Sequence, residues 1–245
     1  VNCISLIVAF VPEGMPVAVT VTLALIAADM SRSNVLVKNL GVVETLGSVS
    51  VIASDKTGTL TENRMTVSEL SHAADAPAHK ELLRAMVLCN RAVCGANDEI
   101  IGDASDSGLF RHYCQAAASG AAPEAEAMRR EHAKLAELPF NSTNKYMLSI
   151  HELPGEGDRL LLLKGAPERM LDRCSTLVTA SGVAEPLVDN VRTSTLRSIE
   201  EAAARGQRIL GFCRSILPES KYGADFAFDL EEPNFPTSEL AFLGW

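Results

Sequence analysis

The first 28 residues constrain this chain more than any later stretch. Residues 1–28 are almost wholly apolar and carry a single ionisable acid, Glu13. About 20 apolar residues in helical form cross a bilayer, so this apolar run is predicted to form a transmembrane helix. A secretory signal would open on basic residues and close on a small-residue cleavage site, and neither is present. Hydropathy by itself leaves a buried core helix as the alternative. The run is interrupted at Val11-Pro12-Glu13-Gly14-Met15-Pro16. Each proline lacks an N–H and clashes with the preceding turn, which predicts an unwound segment. Freed carbonyls are tolerated in lipid only where they line a site. Carbonyls with one carboxylate make an oxygen cage suited to a cation. Asp29, Arg32 and Lys38 then mark the exit from the membrane, and the basic residues place it on the cytoplasmic side.

Residues 34–37 read as a short strand and residues 41–46 as a short helix that Gly47 ends. Residues 49–54 are β-branched and apolar, the pattern of a buried parallel strand, and run straight into Asp55. Beyond Thr61 the pattern is mixed α+β. Residues 80–91, 105–119 and 191–205 read as helices. Residues 146–153, 159–163, 208–213 and 240–244 read as strands, and residues 116–127 as a surface connection. The net charge of -9 argues against a nucleic-acid partner. The six cysteines form no CxxC pair and no zinc spacing, so they read as free thiols.

An aspartate at the carboxyl end of a buried parallel strand sits where open α/β sheets place their active sites. The heptad Asp55-Lys56-Thr57-Gly58-Thr59-Leu60-Thr61 follows it with small and hydroxylated residues. Gly58 allows close backbone approach, Thr57 and Thr59 can donate to phosphoryl oxygens, and Lys56 adds positive charge. The set suits a carboxylate that attacks phosphorus and holds the acyl phosphate. A lone D-x-T-G would read as a turn-capping aspartate. The full heptad after an apolar strand is far more specific.

On these residues the chain resembles the P-type cation-transporting ATPases. The heptad matches their signature, Pro12-Glu13-Gly14 looks like the break in their fourth transmembrane helix, and Lys164-Gly165-Ala166-Pro167-Glu168 resembles their nucleotide-domain motif. Order and spacing agree. Phe140-Asn141-Ser142-Thr143-Asn144-Lys145 and Gly102-Asp103-Ala104-Ser105-Asp106-Ser107 look most like the sodium/potassium and proton/potassium pump branch. The resemblance covers essentially the whole chain. It implies an α/β fold in four parts: a transmembrane helix (1–33), the first part of a HAD-like, Rossmann-type phosphorylation domain (34–65), an inserted α+β nucleotide-binding domain (66–239), and a strand returning to the phosphorylation domain (240–245).

The resemblance also implies ATP-driven cation transport through an aspartyl phosphate at Asp55, supported by Lys56, Thr57 and Thr59. Asp55 and Thr57 would form part of a Mg2+ site. Phe140 would stack on adenine, with Asp106 at the position of a family glutamate nearby. Lys145 and Lys164 would line the pocket towards the phosphates, Gly165 and Ala166 would let the nucleotide lie close to the backbone, and Arg208 would hold the phosphate side. Glu13 and the carbonyls of Val8, Ala9 and Val11 match the family's ligands for the transported cation. Phe10 stands where sodium/potassium pumps usually carry Asn, and Pro16 resembles the calcium pumps. Sodium/potassium transport is favoured, with a calcium or fungal-type sodium pump as the alternative. The implied setting is the plasma membrane, with a lipid bilayer and room for an accessory subunit as partners and the catalytic domains in the cytoplasm. The sequence contains neither a Thr-Gly-Glu actuator motif nor a Gly-Asp-Gly-x-Asn-Asp motif. The expectation is therefore a piece of a longer pump, acting by itself as a non-catalytic nucleotide-binding fragment. A soluble phosphatase of the same superfamily would share the Asp nucleophile but not the proline-broken span or the inserted domain.

Overall fold

The computed structural model describes residues 14–95, 99–116, 122–155 and 157–245. They divide into two compact units that part between Glu62 and Asn63.

In the first unit, helix α1 (Gly14–Arg32) has a mean hydropathy of 1.6 and is long and apolar enough to cross a membrane. None of its residues is buried within the protein. Thr20 and Thr22 donate back to the carbonyls of Pro16 and Ala18 at 2.8 Å, so neither hydroxyl is left unpaired on an apolar helix. Pro16 does not break this helix. It lies in the first turn, where its missing N–H has no intrahelical partner to lose. The rest of the expected break, with Glu13, Val8, Ala9 and Val11, lies outside the described residues. Helix α2 (Leu40–Leu46) forms as the sequence predicts, with Asn39 Oδ1 accepting from Gly41 N at 2.9 Å and Gly47 at the far end. The strands expected at 34–37 and 49–54 do not form. Val51 and Ile52 are 78% and 87% exposed rather than buried. A strand exists by exchanging backbone hydrogen bonds with a neighbour, and the described residues of this unit contain no strand to serve as one.

The second unit runs from Asn63 to Trp245. Helix α3 (Pro77–Leu88) leads into a small hairpin, β1 (Val93–Cys94) and β2 (Ile100–Ile101). Helices α4 (Ala104–Ala116) and α5 (Ala122–Glu131) follow, then strands β3 (Lys134–Leu138), β4 (Tyr146–Glu152) and β5 (Arg159–Gly165). Next come α6 (Pro167–Leu171), β6 (Cys174–Val178), β7 (Ala184–Pro186), α7 (Asp189–Ala204), β8 (Gly211–Leu217), α8 (Glu219–Tyr222) and β9 (Leu240–Gly244). Strands β3 to β9 make one sheet in the order β3-β4-β5-β8-β9-β6-β7, antiparallel at every step but β6–β9.

Both faces of the sheet are covered, which is why β5 reads as an unbroken apolar run. Alternate side chains point to opposite faces. Leu161 and Leu163 pack with Ile150, Met170 and Ile199 of α7, whereas Leu160 and Leu162 pack with Met147, Leu82 and Met86 of α3 and Leu109 of α4. The connection from α8 to β9 is irregular but is pinned by aromatic contacts: Tyr222 and Phe226 meet edge-on at 5.0 Å, and Phe228 and Phe235 extend the cluster.

Three sequence expectations are corrected here. Residues 240–244, expected to return to the phosphorylation domain, instead join the seven-stranded sheet. As β9 they lie between β8 and β6 and join its two halves. Part of the expected connection at 116–127 is helix α5, whose Ala125 is buried against Phe110 and Val87. The strand expected at 208–213 starts only at Gly211, the first residue with a partner on β5, Gly165.

Strand β4 also carries His151, which is buried. Its Nδ1 donates to the His132 carbonyl at 3.1 Å, and its Nε2 is buried without a partner among the described residues. Burial pushes its pKa from 6.5 down to about 4, and the hydrogen bond to His132 only partly opposes this. The folded imidazole stays neutral where the unfolded one takes up a proton. Its contribution is therefore complete above the unfolded value and is lost as pH falls towards the folded one. The loss reaches about 2 kcal/mol near about pH 5. Urea unfolding at about pH 7 and about pH 5 checks this: the wild-type chain should lose about 2 kcal/mol more than His151→Gln. Equal losses would show that His151 titrates normally.

Candidate functional site

Three strands of the second unit reach the same end of the sheet. Tyr146 opens β4, Gly165 closes β5 and Gly211 opens β8, and the three lie in register across the sheet. Lys164, one residue before the end of β5, is buried and ion-paired with Asp106 on α4; each side chain is 7% exposed. The other carboxylate oxygen of Asp106, Oδ2, accepts from the Arg91 N–H at 2.9 Å. Asp103 Oδ1 accepts from the N–H groups of Ser105 and Asp106 at 2.8 and 3.1 Å and so starts α4. A buried ammonium is stable only beside a hydrogen-bonded counter-charge; removing one partner of such a pair costs about 3–5 kcal/mol.

The Gly165 backbone is packed against the end of the turn before β4. A Cβ there would stand 2.5 Å from the Lys145 carbonyl oxygen, which also accepts from Ala166 N at 3.3 Å. Lys145, Gly165 and Ala166 are thus brought together through their backbones. The turn before them is closed by Lys145 N donating to Asn141 O (3.0 Å) and Asn144 N to Asn141 Oδ1 (2.6 Å). It holds Phe140 with 58% of its surface in solvent, an aromatic face without a cover.

A cleft of about 360 Å³ opens between residues 64–70, helix α4 and residues 206–210. Arg208 lines it, as do Ser105, Gly108 and Trp245. Its two rims are tied by Arg205 to Glu69 (2.5 Å) and by Gln207 to Ser68 Oγ (3.1 Å). Ser105 and Asp106 are neighbours on α4 with different roles: Ser105 lines the cleft, and Asp106 holds Lys164. The walls of this cleft do not include Lys164, Asp106, Phe140 or Lys145. The expected nucleotide residues therefore fall into groups: Arg208 in the cleft, the Lys164–Asp106 pair, and the Phe140–Lys145 turn packed on Gly165. Sequence reasoning missed Ser105 as a cleft residue and Asn90, whose buried amide binds the Asp106 backbone at 3.0 Å. The only sequence signal for Asn90 is a polar residue directly after an apolar helix.

In the first unit, Asp55 heads an irregular turn. Its Oδ1 accepts from Lys56 N at 2.7 Å, Thr61 N donates back to Lys56 O at 3.2 Å, and Gly58 takes φ 77° between them. Asp55, Lys56, Thr57 and Thr59 are all exposed. As a metal site the set is incomplete. Asp55 and Thr57 supply one carboxylate and one hydroxyl, and the described residues contain no group of three His, Cys, Asp or Glu suited to a metal ion.

Residues 78–245 match the family described as P-type ATPase, cytoplasmic domain N. The chain belongs to the P-type ATPases. Among similar proteins are the sodium/potassium-transporting ATPase subunits alpha-1 of Anguilla anguilla and alpha-3 of Gallus gallus, each 45% identical over 98% of this chain and 26% of the relative. The alpha-1 subunit of Oreochromis mossambicus is 44% identical over the same shares. The chain thus spans about a quarter of the length of these relatives. The match to domain N ends at Trp245, so it includes β9, in keeping with the place of that strand in the P-type ATPase sheet seen here.

Proposed function

We propose that this chain is the ATP-binding and phosphate-accepting part of a cation pump, of the sodium/potassium type, in a plasma membrane. The observation that carries the reading is the end of the seven-stranded sheet. A buried Lys164–Asp106 pair, an exposed aromatic at Phe140 and an arginine-lined cleft stand on elements that meet there. Phe140 would take the adenine face, because an uncovered ring offers stacking area. Lys145 and Arg208 would meet the phosphates, Arg208 with its planar fork of donors. Gly165 and Ala166 would shape the floor, and the Lys164–Asp106 pair would set its charge. Asp55 would attack the γ-phosphorus: a bond forms from its carboxylate oxygen to phosphorus, the bond to the β–γ bridging oxygen breaks, and ADP leaves. Lys56, Thr57 and Thr59 would hold the phosphoryl oxygens. Mg2+, when bound, would neutralise phosphate charge, and Asp55 and Thr57 would supply part of its shell. α1 would cross the bilayer, with Glu13 and the carbonyls of Val8, Ala9 and Val11 as cation ligands. Identity of 44–45% to alpha subunits named for sodium and potassium supports that cation pair over calcium.

The test is ATP titration of the 245-residue chain in detergent, by calorimetry or NMR. Binding is expected in the micromolar-to-millimolar range, about -4 to -8 kcal/mol. Phe140→Ala and Arg208→Ala should each weaken it by more than about 1 kcal/mol. No binding at millimolar ATP, or binding indifferent to both changes, would overturn the assignment.

A further inference from the structure

Helix α3 hands over to the β1–β2 hairpin through Cys89-Asn90-Arg91-Ala92, and this turn is docked on the start of α4. Asn90 is 2% exposed and spends its amide on three backbone groups. Its Nδ2 donates to Met86 O at 2.9 Å and to Asp106 O at 3.0 Å, and its Oδ1 accepts from Ala92 N at 2.7 Å. The adjacent Arg91 N–H donates to Asp106 Oδ2 at 2.9 Å. One turn therefore grips Asp106 at its carbonyl and at one carboxylate oxygen and leaves Oδ1 to Lys164. Gly102 makes the docking possible: a Cβ there would lie 2.9 Å from both Cα and Cβ of Ala92.

We propose that Asn90 is a positioning residue of the nucleotide site, setting the Asp106 carboxylate and, through it, the Lys164 ammonium at the end of β5. The inference rests on the reading that Lys164 belongs to that site. An aspartate has a short stem, so the placement of its backbone decides whether the carboxylate reaches the lysine. Asn90 fixes that backbone directly. Asn90→Asp keeps the size and the acceptor for Ala92 but removes both donated hydrogen bonds and sets a second carboxyl beside Asp106. Gly102→Ala disturbs the same docking from the opposite side.

The experiment follows the Lys164 ammonium by NMR in the lysine-labelled 245-residue chain in detergent, its signal assigned by loss in Lys164→Arg. In wild type the ammonium should be shielded from solvent exchange. In Asn90→Asp and Gly102→Ala it should exchange at least about tenfold faster, and the ATP dissociation constant should rise about tenfold, the size expected when hydrogen bonds around a charged group are lost. Unfolding should stay cooperative, and the methyl signals of Leu161 and Ile150 should not move. A purely structural Asn90 would alter the melting temperature and leave the ammonium shielded. A shielded ammonium in both variants overturns the inference. A wild-type chain whose Lys164 is shielded but which ignores ATP overturns the nucleotide reading and leaves the positioning role standing.

Discussion

A chain cut at Glu239 will not fold its second unit. The family resemblance implied an end to the nucleotide-binding domain there, but the six residues beyond it include β9, which joins β8 to β6 within the sheet. Leu240, Phe242 and Leu243 are 0–1% exposed, Leu240 and Phe242 in the core on one face and Leu243 in the core on the other. Burying each such side chain is worth about 1.5–3 kcal/mol, so the cut removes about 5–9 kcal/mol. A domain is stable by only about 5–15 kcal/mol in all. The cut also strips β8 and β6 of their shared partner and leaves their backbone groups facing an open gap. Residues 63–239 and 63–245, compared by circular dichroism and urea unfolding, test this. Only the longer piece should show a cooperative transition. Equal midpoints would mean that β9 is an accessory strand. Any nucleotide titration of the isolated unit therefore has to run to Trp245.

On the proposed function, Asp55→Asn in the full-length protein should abolish the acid-stable, hydroxylamine-labile phosphate expected with magnesium and ATP. An amide at this position has no anionic oxygen to attack phosphorus and cannot give an acyl phosphate that hydroxylamine cleaves. The change is isosteric, and the exposed turn around Asp55 uses the carboxylate for one short-range hydrogen bond, to Lys56 N, which the amide oxygen can also accept. Nucleotide binding, which the proposed site assigns to Phe140, Lys164 and Arg208 of the second unit, should persist. The loss should thus appear in phosphate labelling and not in ATP affinity. Label retained in Asp55→Asn would place the phosphate on another residue.

Local pattern was enough for much of this protein. The apolar span that becomes α1, the helix at 40–46, strands β4 and β5 and helix α7 all follow from periodicity and turn residues close together in sequence. The heptad at Asp55 was legible as phosphate chemistry from its adjacent residue types, whereas the stretches around Lys145, Lys164 and Arg208 were marked only by their resemblance to the family's motifs. The sequence could not say which of these runs meet. Lys164 was expected to face the pocket, yet it is held by Asp106, 58 positions away, and Asp106 by the turn at Asn90. Residues 49–54 have the composition of a buried strand and remain exposed, because no strand lies beside them among the described residues of their own unit. Residues 240–244 have the same kind of composition and do become a strand, because β8 and β6 flank them. Composition sets the propensity of a segment to extend, but backbone pairing and burial of a charge are contracts between distant segments, and only the tertiary structure supplies the second party.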